Sequence, residues 1–274
     1  MHNPDVQPGT LLLIGGAEDK IGHRTILQRF VELAGVAQAR IVVIATASSY
    51  EDSVGRRYVD LFAALGAARV ELAPLSARVD ACRSAVLEQL DDATAVFITG
   101  GDQLKLTAII GGTPAETRLR QRHAAGCVIA GTSAGASVAA EHMMAYGASG
   151  IPPRKAMMQF APGFGLIRGV IIDQHFGERG RAGRLITAVA HNPGLLGLGL
   201  DEDTAVEIRS DQTFTVLGRG AVLVVDAMPV SHNDIHRLPE QAPLSIFDLR
   251  VHTLASGYRF DLAERRPLLP LDTL

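Results

Sequence analysis

A chain of 274 residues that is 47% hydrophobic has enough apolar material for a large core, in one or two domains. Charged residues make up 20% and the formal net charge is −3, which argues against nucleic acid or an anionic membrane surface as partner. No apolar run approaches the ~20 residues of a membrane-spanning helix. The start MHNPDVQPGT is polar and proline-containing, unlike a secretory signal, so a cytoplasmic location is expected. Cys82 and Cys127 lie far apart without CxxC or CxxH spacing, so neither a disulfide framework, a metal site nor a cofactor is expected.

In chain order, GTLLLIGG (Gly9–Gly16) reads as a buried strand cut off by glycines. The segments Ala39–Ala47, Ala68–Leu75, Ala93–Gly101 and Gly126–Ser133 have the same character. Between them Thr25–Ala34, Val54–Leu65 and Arg83–Leu90 carry helical amphipathic spacing. AGASVAAEHM, directly after Ser133, reads as a further helix. More strands are predicted at Val170–Ile172, Leu195–Leu200, Ala205–Ile208 and Ala221–Val225, then at Phe214–Gly220 and Ser245–Val251 in a strand-rich last third. Strands continuous in Val, Ile and Leu and separated by helices imply a doubly wound α/β fold. Its sheet should be mostly parallel, with helices on both faces and antiparallel strands toward the C-terminus. No Pro/Gly-rich linker divides the chain, so one domain over residues 1–274 is expected.

Ligands of such sheets collect at the carboxyl ends of the strands. That rule selects Gly15–Asp19, Thr46–Glu51, Gly100–Gln103, Thr132–Ala136 and Asp173–Arg184, all rich in Gly, hydroxyl or charged residues. Within them, Gly131 to Gly135 fits G-x-S-x-G around Ser133, where flanking glycines relieve crowding as a strand turns sharply into a helix. A serine needs a base to become a nucleophile. Of the nine histidines, His2 is terminal, and His23, His123, His142 and His191 fall in or beside predicted helices. His232, His236 and His252 lie in the late polar part, whereas His175 follows a predicted strand into the site region. The imidazole in turn needs an anion. No acid occurs between Glu141 and Asp173, and the next cluster is Asp201-Glu202-Asp203; Glu202 is preferred, with Asp201 and Asp203 as alternatives. The order Ser, His, Glu differs from that of α/β-hydrolases. GGAED could be mistaken for a phosphate loop, but it lacks GK[ST] and carries two acids, so its glycines read as close packing beside the site.

Five motifs in order, LLLIGGAED, FITGGDQLKL, GTSAGAS, DQHFGERGRAGRL and LGLDEDTA, carry a resemblance to the cyanophycinases. These belong to the serine peptidase family that also holds aspartyl dipeptidase (peptidase E). The resemblance implies a fold like that of class I glutamine amidotransferases, with serine at their cysteine position. It also implies a triad of Ser133, His175 and Glu202. The implied substrate is cyanophycin, a polyaspartate backbone with arginine joined to each side-chain carboxyl, cut to β-aspartyl-arginine dipeptides. A homodimer is implied as well. Oxyanion donors are expected at Ala134 N–H and at the glycine turn, on Gly101. Arg179, Arg181 and Arg184 sit where they oppose a helix dipole, and their planar forks suit carboxylates. The family pattern assigns these arginines, with Gln103, Asp173 and Gln174, to substrate binding. Asp173 is expected to face a substrate guanidinium, and Ser53 is a weak rim candidate. Relatives often have an acid near Ile151, where this chain reads GASGIPPRKA. An aspartyl dipeptidase and a catalytically silent binding protein are the competing readings.

Overall fold

The computed structural model describes residues 7–271, which leaves His2 outside the described residues. Short Val/Ile/Leu runs form β1 (Leu11–Ile14), β2 (Arg40–Ile44), β3 (Arg69–Leu72), β4 (Ala95–Ile98) and β5 (Val128–Thr132). Helices α1 (Thr25–Ala34), α2 (Glu51–Ala64), α3 (Ser84–Asp92), α4 (Gln103–Ile110) and α5 (Pro114–Ala124) alternate with them. After β5 come α6 (Ala134–Ser137), the pair β6 (His142–Gly147) and β7 (Met158–Pro162), β8 (Val170–Asp173) and α7 (Ala182–His191). The chain then runs through β9 (Leu196–Leu200), β10 (Thr204–Ile208), β11 (Thr213–Gly218) and β12 (Ala221–Asp226). It ends in β13 (His232–Asn233), β14 (Ile246–Phe247), β15 (Arg250–Ala255), β16 (Arg259–Asp261) and β17 (Arg266–Leu268).

The large sheet has nine strands in the order β3-β2-β4-β5-β1-β10-β11-β16-β17. It is parallel from β3 to β1 and antiparallel from there on. One face is sealed by α1 and α2, whose Phe30 and Phe62 meet Phe97 of β4 with ring centroids 5.4 and 5.0 Å apart. Such aromatic pairs add ~1 kcal/mol each beyond the area they bury. The other face packs against α3 to α5 and against a second sheet of order β15-β12-β9-β8. Here the structure adds to the sequence reading. The runs at β8 and β9 pair parallel to each other, and not with the large sheet. A buried apolar run says that a strand is covered on both faces, and leaves open which sheet it joins.

AGASVAAEHM departs from expectation. Helix is limited to the four residues of α6, and His142 begins a strand. The carbonyls of Val138 and Ala139, which would continue a helix, instead accept from Phe164 N at 2.6 Å and Leu166 N at 2.9 Å. A crossing segment thus overrides local helix propensity. The Ser245–Val251 run is also broken, with Asp248 at φ 60° separating β14 from β15.

Tight backbone contact holds the β5–α6 turn against β4. A Cβ at Gly135 would stand 2.2 Å from the Ile98 carbonyl oxygen, and one at Gly131 2.2 Å from that of Gly135. Gly135→Ala should therefore cost about 1–3 kcal/mol, as overpacking does. Urea denaturation checks this; an unchanged midpoint would mean that the turn is not closely packed.

Candidate active site

Three chain segments reach one point at the carboxyl ends of the strands. Ser133 follows β5 with φ 53° and ψ −109°, a strained conformation for a residue with a side chain. Its carbonyl accepts from Ala136 N and Ser137 N, while its own N–H donates to Ile14 O at 2.9 Å. His175 follows β8 in the second sheet, also with positive φ, and donates its N–H to Gly15 O at 2.8 Å. Asp203, beside Glu202, donates to Gly16 O at 2.8 Å. The glycines of GGAED make these approaches possible. A Cβ at Gly15 would lie 2.0 Å from Asp201 O, and one at Gly16 2.4 Å from the His175 ring.

Ser133 Oγ is 2.9 Å from His175 Nε2, and His175 Nδ1 is 2.6 Å from Glu202 Oε1. A carboxylate at Nδ1 assigns the proton to that nitrogen and leaves Nε2 to accept from the serine hydroxyl. Burial lowers the His175 pKa most; the Glu202 hydrogen bond raises it, and the Arg179 and Arg181 charges lower it further, for a net decrease. The ring is therefore neutral at pH 7. Of the three clustered acids, Glu202 alone faces the ring. Asp201 accepts from Gly177 N and Ala221 N, and Asp203 accepts from Asp19 N.

Ser133 and His175 open into a cavity of about 600 Å³. Gly100 and Gly101 line it beside Ser133, and a Cβ at Gly100 would come 3.2 Å from that of Ser133. Ala134 starts α6 and is buried. Gln103, Gln174, Arg179, Arg181 and Arg184 line the same cavity. Gln103 donates to the carbonyls of Met144 and Ala145, and Gln174 Oε1 accepts from Arg181 Nη1 at 2.9 Å. Asp173 differs from expectation. It is only 1% exposed and accepts from Arg184 Nε at 2.7 Å and Arg181 Nη1 at 3.3 Å. Its charge is taken up by the chain's own guanidiniums, which it aims, and no face is left for one from outside. Ser53 likewise does not line the cavity; it bonds Tyr50 O at 3.2 Å, and Val54, Arg57 and Tyr58 face inward instead. Ile151 is 79% exposed.

Sequence reading did not assign Glu18, Lys20, Arg57 or Tyr58, all of which line the cavity. Glu18, 3% exposed, accepts from Thr132 Oγ1 at 2.6 Å and from Tyr58 OH, and pairs with Lys20 at 2.9 Å. Burial pushes its carboxyl up, but Lys20 and the two hydroxyls outweigh this and hold it below its ordinary value. Its place after β1 marked the segment, although not the residue. Nothing in the amphipathic pattern of α2 tells that Arg57 turns toward the site.

A serine on a strained strand-to-helix turn, joined through a neutral histidine to a carboxylate above a doubly wound sheet, is the arrangement of a serine-type peptidase. The chain belongs to peptidase family S51, whose model matches residues 11–216. It is 42% identical over 269 residues to a cyanophycinase of Trichormus variabilis, covering 98% of this chain and 90% of that one. A cyanophycinase of Geminocystis herdmanii is 39% identical over 260 residues, covering 94% and 96%. Among solved structures, a peptidase from an acI-B1 Actinobacterium superposes with a TM-score of 0.67 at 21% identity, over 93% of this chain and 97% of that one. This last likeness shows the fold.

The site's electrostatics are open to direct measurement. In an NMR titration His175 should show a midpoint below its ordinary 6.5. Glu202→Gln should move it lower still, because the charged hydrogen-bond partner is what raises it. A midpoint above 6.5 would contradict this balance of burial and pairing.

Proposed function

We propose that this chain is a hydrolase of cyanophycin, cutting its polyaspartate backbone to β-aspartyl-arginine dipeptides. The observation that carries this reading is the identity of about 40% with curated cyanophycinases over nearly the whole chain. The cavity's chemistry supports it. Ser133 Oγ attacks the scissile carbonyl while its proton passes to His175 Nε2. Glu202 holds the ring and stabilises the imidazolium that forms. The backbone N–H groups of Ala134 and Gly101 receive the developing oxyanion. Collapse breaks the C–N bond, and the departing amine takes the proton from His175. Water then attacks the Ser133 ester, again giving up its proton to His175, and the acid product leaves as that proton returns to Ser133 Oγ.

Arg179, Arg181 and Arg184 bind substrate carboxylates with Gln103 and Gln174, and Asp173 orients two of those arginines from beneath. We read the chain as one peptidase domain; in support, the strands after the family-matched stretch join both sheets, β12 and β15 in one and β16 and β17 in the other. No helix among the described residues is long and apolar enough to cross a membrane. We also propose a cytoplasmic location and, on the strength of the family resemblance, a homodimer.

Incubating the protein with insoluble cyanophycin should clear the polymer and release β-aspartyl-arginine, and turnover of short aspartyl dipeptides alone would overturn the reading. Ser133→Ala should lower the rate by about three orders of magnitude or more, as loss of a triad member does, while polymer binding persists. Retained activity would mean another nucleophile.

A further inference from the structure

The cavity is lined by five cationic side chains, Lys20, Arg57, Arg179, Arg181 and Arg184, against one acid, Glu18. They differ in what holds them. Asp173 engages Arg181 and Arg184, and Glu18 lies 2.9 Å from Lys20. The guanidiniums of Arg57 and Arg179 have no ion-pair or hydrogen-bond partner among the described residues. Arg57 and Arg179 also come from opposite sides of the large sheet. Arg179 follows β8, which packs on the face that carries the second sheet. Arg57 is on α2, whose Tyr58 joins Phe30, Phe62 and Phe97 on the other face. Lys20 belongs to this second wall, its Nζ 5.3 Å from the centre of the Tyr58 ring. That cation–π contact and the Glu18 pair hold the ammonium in place at the cavity edge.

We infer that Lys20 and Arg57 form a second carboxylate subsite, across the cavity from the Arg179–Arg184 wall, for the arginine α-carboxylate of a residue next to the scissile bond. The inference rests on cyanophycin being the substrate. Each residue of that polymer carries an arginine bound through its α-amino group, so every side chain ends in a free carboxylate and a guanidinium. A cavity with this excess of cations takes in the carboxylate and turns the guanidinium away toward solvent. Arg57 supplies an unengaged planar fork that matches a carboxylate with two parallel bonds, and Lys20 adds a fixed point charge beside it. Two such walls require two carboxylates, so recognition reads neighbouring arginines, and a lone β-aspartyl-arginine fills only one wall.

The test uses two short soluble oligomers of α-linked aspartate. One carries arginine on every side-chain carboxyl, and the other carries agmatine, which has the same guanidinium without the carboxylate. The unmodified enzyme should show a lower KM for the arginine oligomer. Arg57→Gln should raise that KM about tenfold, the usual effect of losing a charge-assisted hydrogen bond, and contract the preference over the agmatine oligomer. Arg57→Lys, which keeps the charge, should retain more of the preference than Arg57→Gln. An unchanged KM, an equal loss on both oligomers, or equal behaviour of the two variants would overturn the subsite. Failure of the unmodified enzyme to cut either oligomer would instead overturn the cyanophycin reading, and the subsite with it.

Discussion

Three successive carbonyls at the end of β1 hold the site together. Ile14 O takes the N–H of Ser133, Gly15 O that of His175, and Gly16 O that of Asp203, next to Glu202. Ser133, His175 and Glu202 come from segments well apart in the chain and from two different sheets, yet one turn sets their spacing. The turn works only without side chains, because a Cβ at Gly15 would strike the Asp201 carbonyl and one at Gly16 the imidazole itself. Backbone hydrogen bonds of this kind are short and directional, so the 2.9 and 2.6 Å contacts along the serine, histidine and glutamate follow from where the main chain is pinned. Glu18, two residues further on, extends the same anchorage to Thr132, immediately before Ser133.

The electrostatics follow from this packing. The imidazole lies among arginines and is kept neutral by burial and by their charge, with Glu202 acting in the opposite direction. A base that must accept a proton at neutral pH is helped by that balance. The same arginines would repel one another in an empty cleft, and Asp173 beneath them offsets part of that cost. What is left over is a cationic cavity in which two guanidiniums, of Arg57 and Arg179, are unengaged among the described residues.

The ends of buried strands were legible in the sequence, and with them the site segments. A Val/Ile/Leu run needs cover on both faces, and it stops at glycine or hydroxyl residues where the chain leaves the sheet. Position and chemistry pointed to Ser133, to His175 and to the cluster Asp201-Glu202-Asp203, and the structure brings Ser133, His175 and Glu202 each within hydrogen-bond distance of the next. The length of the helix after Ser133 was not legible, since the bonds that end it come from Phe164 and Leu166, some thirty residues later in the chain. The division into two sheets was hidden for the same kind of reason, as was the burial of Asp173 under its own arginines. Arg57 left no trace, because one cation on the polar side of an amphipathic helix looks like any solvated residue.

Ser133 Oγ is proposed to be the reacting atom of this site. Treating the protein with a serine-reactive fluorophosphonate and mapping the adduct by mass spectrometry tests this most directly. A single adduct on Ser133, formed in proportion to the loss of cyanophycin hydrolysis, is the expected result. Modification at another residue with loss of activity, or full activity with Ser133 modified, would contradict it.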